Sequence, residues 1–363
     1  MARRIKPVRR PLANVKGRTA FVTGGSSGIG LGIARVLSAA GMKVVFTYRT
    51  AAHRDAALAS FPSDNPGVHA IELDTTDRDA MGRAADEAES VFGPVHLLCN
   101  NAGVGLPALV SQVSWQDWDW ALDVNVNGVF NGIRTFLPRM RKHGEGAHIM
   151  ATASTAGIVA GTLGVYAASK FAVVGMMESL RTEMVGSNIG VSVYCPGLVR
   201  SDIFDFGRNR PPSHGTAPVE AGPPPVLEGA GPVDFMASAM DPLEAGRQVL
   251  EGIRRNDLYI LSHPEWLPVV RERVKLMLAS FSRLPVPAAR RVATQAISPD
   301  IYAADLLKKR AAGTGRGRSG KARAASQAGK SVKRTGRRKA GVAKVRAAAV
   351  SRTARRPAAR RRR

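Results

Sequence analysis

A glycine-rich loop between a strand and a helix constrains the fold of this chain most strongly. Residues 23–30 read TGGSSGIG. The apolar run before them, residues 18–23, predicts a short buried strand, and the apolar-periodic segment 29–40 predicts a helix. Glycines let a backbone turn sharply and approach a phosphate, and a helix N-terminus favours negative charge. The loop therefore indicates a pyrophosphate site, the alternative being a glycine-rich turn without a ligand.

Strands and helices alternate along the chain after this loop. Strands are predicted at residues 43–48, 68–73, 95–100, 147–152, 191–195 and 259–261. Helices are predicted at residues 54–61, 77–92, 115–143, 165–186, 241–255 and 264–282. Such alternation is typical of right-handed βαβ units around a parallel sheet. The expected fold class is α/β, a doubly wound parallel sheet in a single domain.

The positive charge of the chain is confined to its two ends. The formal net charge is +25, but residues 306–363 hold 22 Lys or Arg and no Asp or Glu, and residues 1–10 hold five basic side chains. Residues 11–305 carry 26 basic and 28 acidic side chains, so they are nearly neutral. We therefore expect a basic N-terminal arm (1–16), a folded domain (17–283), a C-terminal extension (284–310) and a disordered Lys/Arg/Ala-rich tail (311–363).

Cysteine and histidine placement argues against disulfides and metal centres. Cys99 and Cys195 are the two cysteines, and no histidine pair has metal-ligand spacing. We expect no catalytic metal and a reduced, cytoplasmic compartment. The basic N-terminus is followed by no apolar core, so no secretory signal is expected. The sequence also lacks an apolar run of about 18 residues, so no transmembrane segment is expected.

Tyr166 and Lys170 form a candidate acid/base pair near the start of a predicted helix. Their spacing of four places both side chains on one helix face. An ammonium group beside a phenol favours the phenolate, which lowers a tyrosine pKa from about 10 toward neutral pH. Ser154 ends the preceding strand and supplies a hydroxyl nearby. This group suits proton transfer, although a surface Tyr and Lys at this spacing often occur by chance.

These motifs and three others resemble those of the short-chain dehydrogenase/reductase family over residues 17–262. Residues 23–30 resemble the family's cofactor loop. Residues 100–103 (NNAG), 123–126 (DVNV) and 196–201 (PGLVRS) follow in the family's order, with Ser201 where threonine is usual. The interval between Ser154 and Tyr166 is one residue shorter than is frequent in the family. The resemblance implies a Rossmann-type fold and an oxidoreductase.

The resemblance also implies a role for each matching residue. Tyr166 would exchange a proton with the substrate oxygen while hydride passes between the substrate carbon and nicotinamide. Lys170 would lower the pKa of Tyr166 and bind the nicotinamide ribose, Ser154 would hydrogen-bond the reacting oxygen, and Asn125 would hold a relay water. The implied cofactor-binding residues are Gly24, Ser26, Ser27, Gly28, Ile29, Gly30, Arg49, Asp74, Asn101, Ala102, Gly103, Tyr166, Lys170, Pro196, Gly197, Val199 and Ser201. A homodimer or homotetramer formed through helices 115–143 and 165–186 is also implied.

The residue after the second strand bears on the choice of dinucleotide. An acidic side chain there usually binds the ribose 2′-hydroxyl of NAD, whereas an arginine accommodates the 2′-phosphate of NADP. Residues 44–50 (VVFTYRT) offer Arg49 and no acid. We therefore expect NADP(H) rather than NAD(H), a solvated loop arginine being the alternative. Asp74 matches the family's aspartate near the adenine, and helix capping is its alternative role.

The substrate is expected to meet a Pro- and Gly-rich excursion, residues 198–240, where the family has its substrate lid. Its many apolar side chains favour a small apolar ketone or secondary alcohol. A carboxylated or coenzyme-A-linked substrate stays open, because arginines occur in the same stretch.

The basic tail allows a second class of function. A run of Lys and Arg binds polyanions through counterion release, without reading a sequence. The competing hypothesis is therefore a nucleotide-binding scaffold tethered to DNA or an anionic membrane by residues 311–363. A solvated tail with no dedicated partner is the third alternative.

Overall fold

One parallel sheet organises the folded part of the chain. The computed structural model describes residues 10–63, 65–106, 108–161, 163–205, 210 and 237–309. Its seven strands are arranged in the order β3–β2–β1–β4–β5–β6–β7, and neighbouring strands are parallel throughout. The strands are β1 (Thr19–Val22), β2 (Lys43–Tyr48), β3 (Val68–Glu72), β4 (Val95–Asn100), β5 (Ala147–Thr152), β6 (Ile189–Tyr194) and β7 (Tyr259–Ile260). The structure confirms the predicted α/β class and the Rossmann-type doubly wound sheet.

Helices cover both faces of the sheet and continue beyond it. They are α1 (Gly28–Ala39), α2 (Ala51–Leu58), α3 (Arg78–Phe92), α4 (Trp115–Leu122), α5 (Gly128–His143), α6 (Gly164–Glu183), α7 (Pro242–Arg255), α8 (Leu267–Ala279), α9 (Ala288–Ile297) and α10 (residues 301–309). No helix in the described part of the chain is long and apolar enough to cross a membrane.

Successive side chains of β1 belong to two separate hydrophobic cores, one on each face of the sheet. Phe21 of β1 packs with α3, α5 and α6 on one face of the sheet. Its neighbours Ala20 and Val22 pack with α1 and α7 on the other face. This alternation follows from the period of two along a strand. Because both faces are covered, the strands are buried and read as continuous apolar runs.

The N-terminal boundary differs from the predicted one. Leu12 and Val15 are 1% exposed and belong to the core on the α1 and α7 face. The predicted basic arm, residues 1–16, therefore includes residues of the folded domain, and residues 1–9 lie outside the described part. Two further predictions fall largely outside it, the lid at 198–240 and the tail at 311–363.

The predicted helix at 115–143 is interrupted. Residues Asp123–Asn127 form a π-helical turn between α4 and α5. Such turns widen a helix by one residue per turn and are frequent at functional sites. Apolar periodicity does not reveal this insertion, because the helix continues on both sides of it.

The C-terminal extension, for which the sequence predicted no elements, contains helices. The segment predicted as the last helix, residues 264–282, begins as a 3-10 turn, Pro264–Trp266, and becomes α8. Helices α9 and α10 then follow within the extension 284–310. Apolar residues do recur at helical spacing in α9, as at Ala289, Val292 and Ala296, although no helix was predicted there.

Candidate active site

The glycine-rich loop joins β1 to α1 at the carboxyl end of the sheet. The strand order reverses between β1 and β4, which makes this edge the crevice where ligands bind in doubly wound folds. Gly24 and Gly28 have φ of +60° and +50°, a region that favours glycine. A Cβ on Gly30 would lie 2.2 Å from the carbonyl oxygen of Gly24. The loop is therefore closed so tightly that side chains are excluded at these positions.

The first turn of α1 is open to an anionic group. Ser27 is the N-cap residue, its side chain accepts no capping hydrogen bond, and no acidic residue occupies the first turn. The backbone N–H groups at a helix start have no partner within the helix, and the helix dipole is positive there. The geometry fits a pyrophosphate next to Ser26 and Ser27.

Asn101 ties three strands together beside this loop. Its amide nitrogen donates to the carbonyl oxygens of Thr23 and Gly24 (both 3.3 Å), and its amide oxygen accepts from Thr152 (3.0 Å). The Thr23 hydroxyl accepts from the backbone N–H groups of Asn101 and Ala102 at 2.9 and 3.0 Å. These bonds hold residues 101–103 against the loop. A Cβ on Gly24 would lie only 2.9 Å from the Cα of Ala102, so the two segments are in direct contact.

A cleft of about 870 Å³ runs along this edge of the sheet. It brings together nearly all the side chains that the sequence assigned to a site. The predicted residues that line it are Gly24, Ser26, Ser27, Gly28, Ile29, Arg49, Asp74, Asn101, Ala102, Gly103, Ser154, Tyr166, Lys170, Pro196, Gly197, Val199 and Ser201. Gly30 and Asn125 lie behind its wall.

Ser154, Tyr166 and Lys170 meet at one point of the cleft. The Ser154 side chain lies close enough to the Tyr166 hydroxyl to lower its pKa, and both line the cleft. The Lys170 ammonium lies 5.5 Å from the centre of the Tyr166 ring and donates to the backbone oxygen of Thr152 (3.1 Å). The helix spacing predicted from the sequence is thus realised on α6, with the strand end of β5 supplying the serine.

The pKa values of the pair differ from the sequence-based expectation. Burial raises the pKa of Tyr166 to about 12, and the hydrogen bond from Ser154 offsets only part of this rise. Burial lowers the pKa of Lys170 to about 8. In this structure the pKa of Tyr166 is therefore not brought toward neutrality, because desolvation is its largest influence.

Asn125 has a structural role at the rear of the cleft. It is fully buried in the π-helical turn. Its amide oxygen accepts from Val104 N–H (2.9 Å), and its amide nitrogen donates to the Val104 carbonyl oxygen and the Ser169 hydroxyl (both 3.0 Å). The side chain thus fixes the segment after β4 to α6. The role of Asn125 in holding a relay water stays a prediction.

Arg49 and Asp74 form an ion pair at the far end of the cleft. Burial raises the pKa of Asp74, but hydrogen bonds from Thr76 and the charge of Arg49 outweigh it, so the pKa is lowered. The sequence offered no acid near Arg49 because Asp74 follows a different strand. The fold brings the two together, since β2 and β3 are neighbours.

Several cleft residues escaped the sequence analysis. Trp120 and Trp266 line the cleft from α4 and from the turn after β7. Arg210 also lines it and pairs with Asp117 at 2.8 Å, with both side chains almost buried. The tryptophans belong to none of the sequence motifs, and only the tertiary structure shows which of them reach the cleft.

One group of metal-ligating side chains occurs in the described residues, and it lies elsewhere. His96, His143 and Glu145 approach one another at the opposite end of the sheet. His96 accepts from Thr19 N–H and contacts Glu145 at 3.1 Å, and His143 accepts from the backbone of Glu145. The imidazole nitrogens are thus used within the protein.

Comparison with known proteins places the chain in a family. The family model for short chain dehydrogenases matches residues 18–210, more than half of the sequence. This protein therefore belongs to the short-chain dehydrogenase family and is an oxidoreductase.

Individual relatives agree with this assignment. The chain is 36% identical to a C alpha-dehydrogenase of Sphingobium sp. over 68% of its own length and 81% of the relative. It is 36% identical to an NADP-dependent (R)-specific alcohol dehydrogenase of Lentilactobacillus kefiri, over 53% and 77% of the two chains. A short-chain dehydrogenase/reductase from Burkholderia phymatum, solved in complex with NAD, superposes with a TM-score of 0.65 at 31% identity, covering 76% of this chain and 99% of that one.

Proposed function

We propose that this protein transfers hydride between NADP(H) and a small apolar ketone or secondary alcohol, with Tyr166 as general acid and base. The observation that carries this proposal is that Tyr166 lies beside Ser154 and Lys170 in the same cleft as the glycine-rich loop. When bound, the nicotinamide supplies or accepts the hydride.

The cleft fits a dinucleotide along its whole length. The absence of side chains at Gly24, Gly28 and Gly30 leaves room for a pyrophosphate. The open first turn of α1 supplies the positive end of a helix dipole to its charge. Arg49 and Asp74 would hold the adenine ribose, and Pro196 and Gly197, which line the same cleft as Tyr166, would border the nicotinamide. This lining supports a dinucleotide as the ligand of the cleft.

The protonation states favour proton donation by Tyr166. With its pKa near 12, Tyr166 is a neutral phenol at pH 7 and holds the proton that a developing alkoxide requires. Ser154 donates a hydrogen bond to the reacting oxygen of the substrate and so stabilises the negative charge that develops there. Lys170, mostly protonated at pH 7, stabilises the phenolate left after transfer. The arrangement supports reduction of a ketone.

Apolar side chains surround the substrate end of the cleft. Leu106, Trp120, Val159, Leu163 and Ile203 line it near Tyr166. Arg210, the described arginine of the predicted lid that lines the cleft, has its charge paired by Asp117. These observations support an apolar carbonyl substrate over a carboxylated one. A cofactor-absorbance screen of ketones and alcohols tests this proposal, and turnover of carboxylated ketones alone would contradict it.

Arg49 supports NADP(H) as the cofactor. Its side chain is 53% exposed at the rim of the cleft. The guanidinium can therefore bind a 2′-phosphate, either by breaking its ion pair with Asp74 or while keeping it. Hydrogen bonds to charged groups are each worth about 1.5–3 kcal/mol. We therefore expect Arg49→Ala to lower kcat/KM for NADPH by about tenfold or more and to leave that for NADH nearly unchanged.

Steady-state kinetics with both cofactors measures this effect. Arg78→Ala, at the start of α3, is the matched control and should change neither value. A wild-type preference for NADH of tenfold or more would contradict the assignment.

A further inference from the structure

A nearly buried ion pair at the cleft takes no part in the proposed proton and hydride transfer. It joins Arg210 to Asp117 of α4. The Nη2 atom of Arg210 lies 2.8 Å from one carboxylate oxygen of Asp117 and 3.0 Å from the other. The two side chains are only 11% and 9% exposed. Because Arg210 lines the cleft, this pair determines part of the charge that a substrate meets there.

The carboxylate of Asp117 is held in place by the start of its own helix. Ser114 is the N-cap residue of α4, and its hydroxyl accepts from the backbone N–H of Asp117 at 3.1 Å. The same hydroxyl donates to the Asp117 carboxylate at 2.9 Å. The position of the carboxylate is therefore set by the local chain. Arg210 comes to it from a distant part of the sequence and is fixed by this contact.

Arg210 is the cation that an anionic substrate group would use in this cleft. In the described part of the chain, the Lys and Arg side chains that line the cleft are Arg49, Lys170 and Arg210. Arg49 pairs with Asp74, and Lys170 lies beside Tyr166. A guanidinium binds a carboxylate of the protein and a carboxylate of a ligand through the same N–H groups. Asp117 and an anionic substrate therefore compete for Arg210.

The mouth of the cleft adds to this selection by charge. Further carboxylates line the cleft and are exposed, those of Asp119, Asp123, Asp202 and Asp205. Clustered charge of one sign lowers the local concentration of ligands of the same sign. An anionic substrate is therefore repelled at the mouth and then meets an arginine that is already paired.

We propose that Asp117 determines substrate specificity by holding Arg210 in this ion pair, so that the cleft selects neutral over carboxylated ketones, an inference that rests on the proposed reduction of a ketone. Asp117 acts through Arg210 and is a positioning residue. Removing its charge leaves the Arg210 guanidinium nearly buried without this carboxylate, a state that is costly in water-poor surroundings. The carboxylate of a substrate can then take the place of the Asp117 carboxylate.

A substitution that keeps the shape of the side chain tests this role. Asp117→Asn removes the charge, and its amide oxygen can still accept from Ser114. The probes are methyl ketones that end in a carboxylate, each compared with the carboxamide of the same length. Wild type should favour the carboxamide. Asp117→Asn should raise kcat/KM for the carboxylate relative to the carboxamide by about tenfold or more. The gain should come mainly from a lower KM, because the new contact is made equally in the ground and transition states.

Two further variants separate the ion pair from the general charge of the cleft. Asp117→Asn with Arg210→Leu should lose the gain, because the guanidinium that binds the carboxylate is gone. Asp119→Asn removes a carboxylate from the same cleft and leaves the pair intact. Asp119 is exposed and screened by water, so this control should change the ratio by less than about threefold.

Thermal melting with hexanoate or hexanamide measures the same site without turnover. Hexanoate should raise the melting temperature of Asp117→Asn, and it should leave wild type and the double variant unchanged. Hexanamide should raise none of them. The same melts show whether each variant folds.

Four results would overturn the role of Asp117. They are an unchanged ratio in Asp117→Asn, an equal gain in Asp119→Asn, a gain that survives Arg210→Leu, and a wild-type preference for the carboxylate over the carboxamide. The last of these needs no variant, so it decides the matter even if Asp117→Asn fails to fold. Turnover of no ketone by wild type would instead contradict the proposed function, and the melts with hexanoate would still decide the role of Asp117.

Discussion

Burial shifts the pKa values of Tyr166 and Lys170 in opposite directions. It raises the pKa of the phenol to about 12 and lowers the pKa of the ammonium to about 8, because each neutral form is favoured away from water. Near neutral pH the tyrosine keeps its proton and the lysine keeps most of its charge. The group that titrates first as pH rises is therefore Lys170.

This order predicts the pH dependence of reduction. As pH rises through about 8, Lys170 loses the charge that stabilises the phenolate, so kcat/KM should fall with an apparent pKa near 8. Lys170→Arg keeps a charge at all accessible pH values and should move this fall beyond pH 10. Initial rates from pH 6 to 10 measure it. A fall near pH 8 that persists in the arginine variant would assign it to another group.

Removing the Tyr166 hydroxyl tests whether this residue is the general acid. Tyr166→Phe leaves the ring in place and deletes the proton donor, so kcat should fall by about 100-fold or more while cofactor binding is kept. Cofactor fluorescence titration and steady-state turnover separate the two effects. Tyr302→Phe, whose hydroxyl contacts Glu178 far from the cleft, is the matched control. Unchanged turnover in Tyr166→Phe would show that a group other than Tyr166 supplies the proton.

At the scale of elements, the glycine-rich loop depends on direct contact between the start of α1 and the backbone around Gly24. An alanine Cβ at position 30 would lie 2.2 Å from the Gly24 carbonyl oxygen and 2.5 Å from the Asn101 amide. Gly30→Ala should therefore distort the loop, weaken cofactor binding by tenfold or more and lower the free energy of unfolding by about 1–3 kcal/mol. Calorimetric titration and thermal melting measure both quantities.

A second helical glycine gives the control for this substitution. A methyl group added at Gly82 of α3 would meet nothing within 4 Å apart from the neighbouring backbone of its own helix, so Gly82→Ala should raise stability by about 1 kcal/mol through helix propensity. Similar behaviour of the two variants would show that the contact at Gly30 is relieved at little cost.

Elements with a strong local signal were predicted within a residue or two. Strands β2, β4 and β5 have the predicted bounds, because continuous apolar runs flanked by turn residues define buried strands. Helix α2 begins at Ala51, earlier than predicted, since Thr50 accepts a capping hydrogen bond from His53. The π-helical turn depends on the buried contacts of Asn125, which no local pattern records.

In the candidate site, too, the residues set by local sequence were predicted and those set by the tertiary fold were not. The loop residues and the Tyr166–Lys170 spacing are set by the local chain, so the sequence located them. The ion pair of Arg49 with Asp74 and the cleft positions of Trp120 and Trp266 depend on which elements are neighbours. The pKa shifts were missed for a related reason, since burial is a property of the whole fold.

At the scale of the whole molecule, a buried ion network holds the C-terminal extension on the sheet. Arg181 of α6 is 6% exposed and donates to Asp305 of α10 (3.0 Å) and to the backbone oxygen of Asn256 (3.0 Å). Lys308 pairs with Asp305 and Asp257 at 3.3 and 3.2 Å. Asp305 also accepts from the backbone N–H of Leu258 (3.0 Å), next to β7. Helix α10 is thereby part of the folded domain.

Two truncations separate this helix from the basic tail. Removing residues 300–363 takes away Asp305 and leaves the Arg181 guanidinium buried without its carboxylate, a loss that typically costs about 3–5 kcal/mol. We therefore expect a clear fall in the free energy of unfolding. Removing only residues 311–363 keeps Asp305 and should leave this free energy nearly unchanged.

A point substitution isolates the charge from the rest of α10. Asp305→Asn keeps the shape of the side chain and removes the charge that balances Arg181, so most of the loss should remain. Asp79→Asn, an exposed residue in the first turn of α3, should change stability by less than about 1 kcal/mol. Urea unfolding of all four variants against wild type gives the comparison. If the truncation at residue 300 destabilises and Asp305→Asn does not, α10 is held by apolar contacts such as that of Ile301 and the ion network adds little.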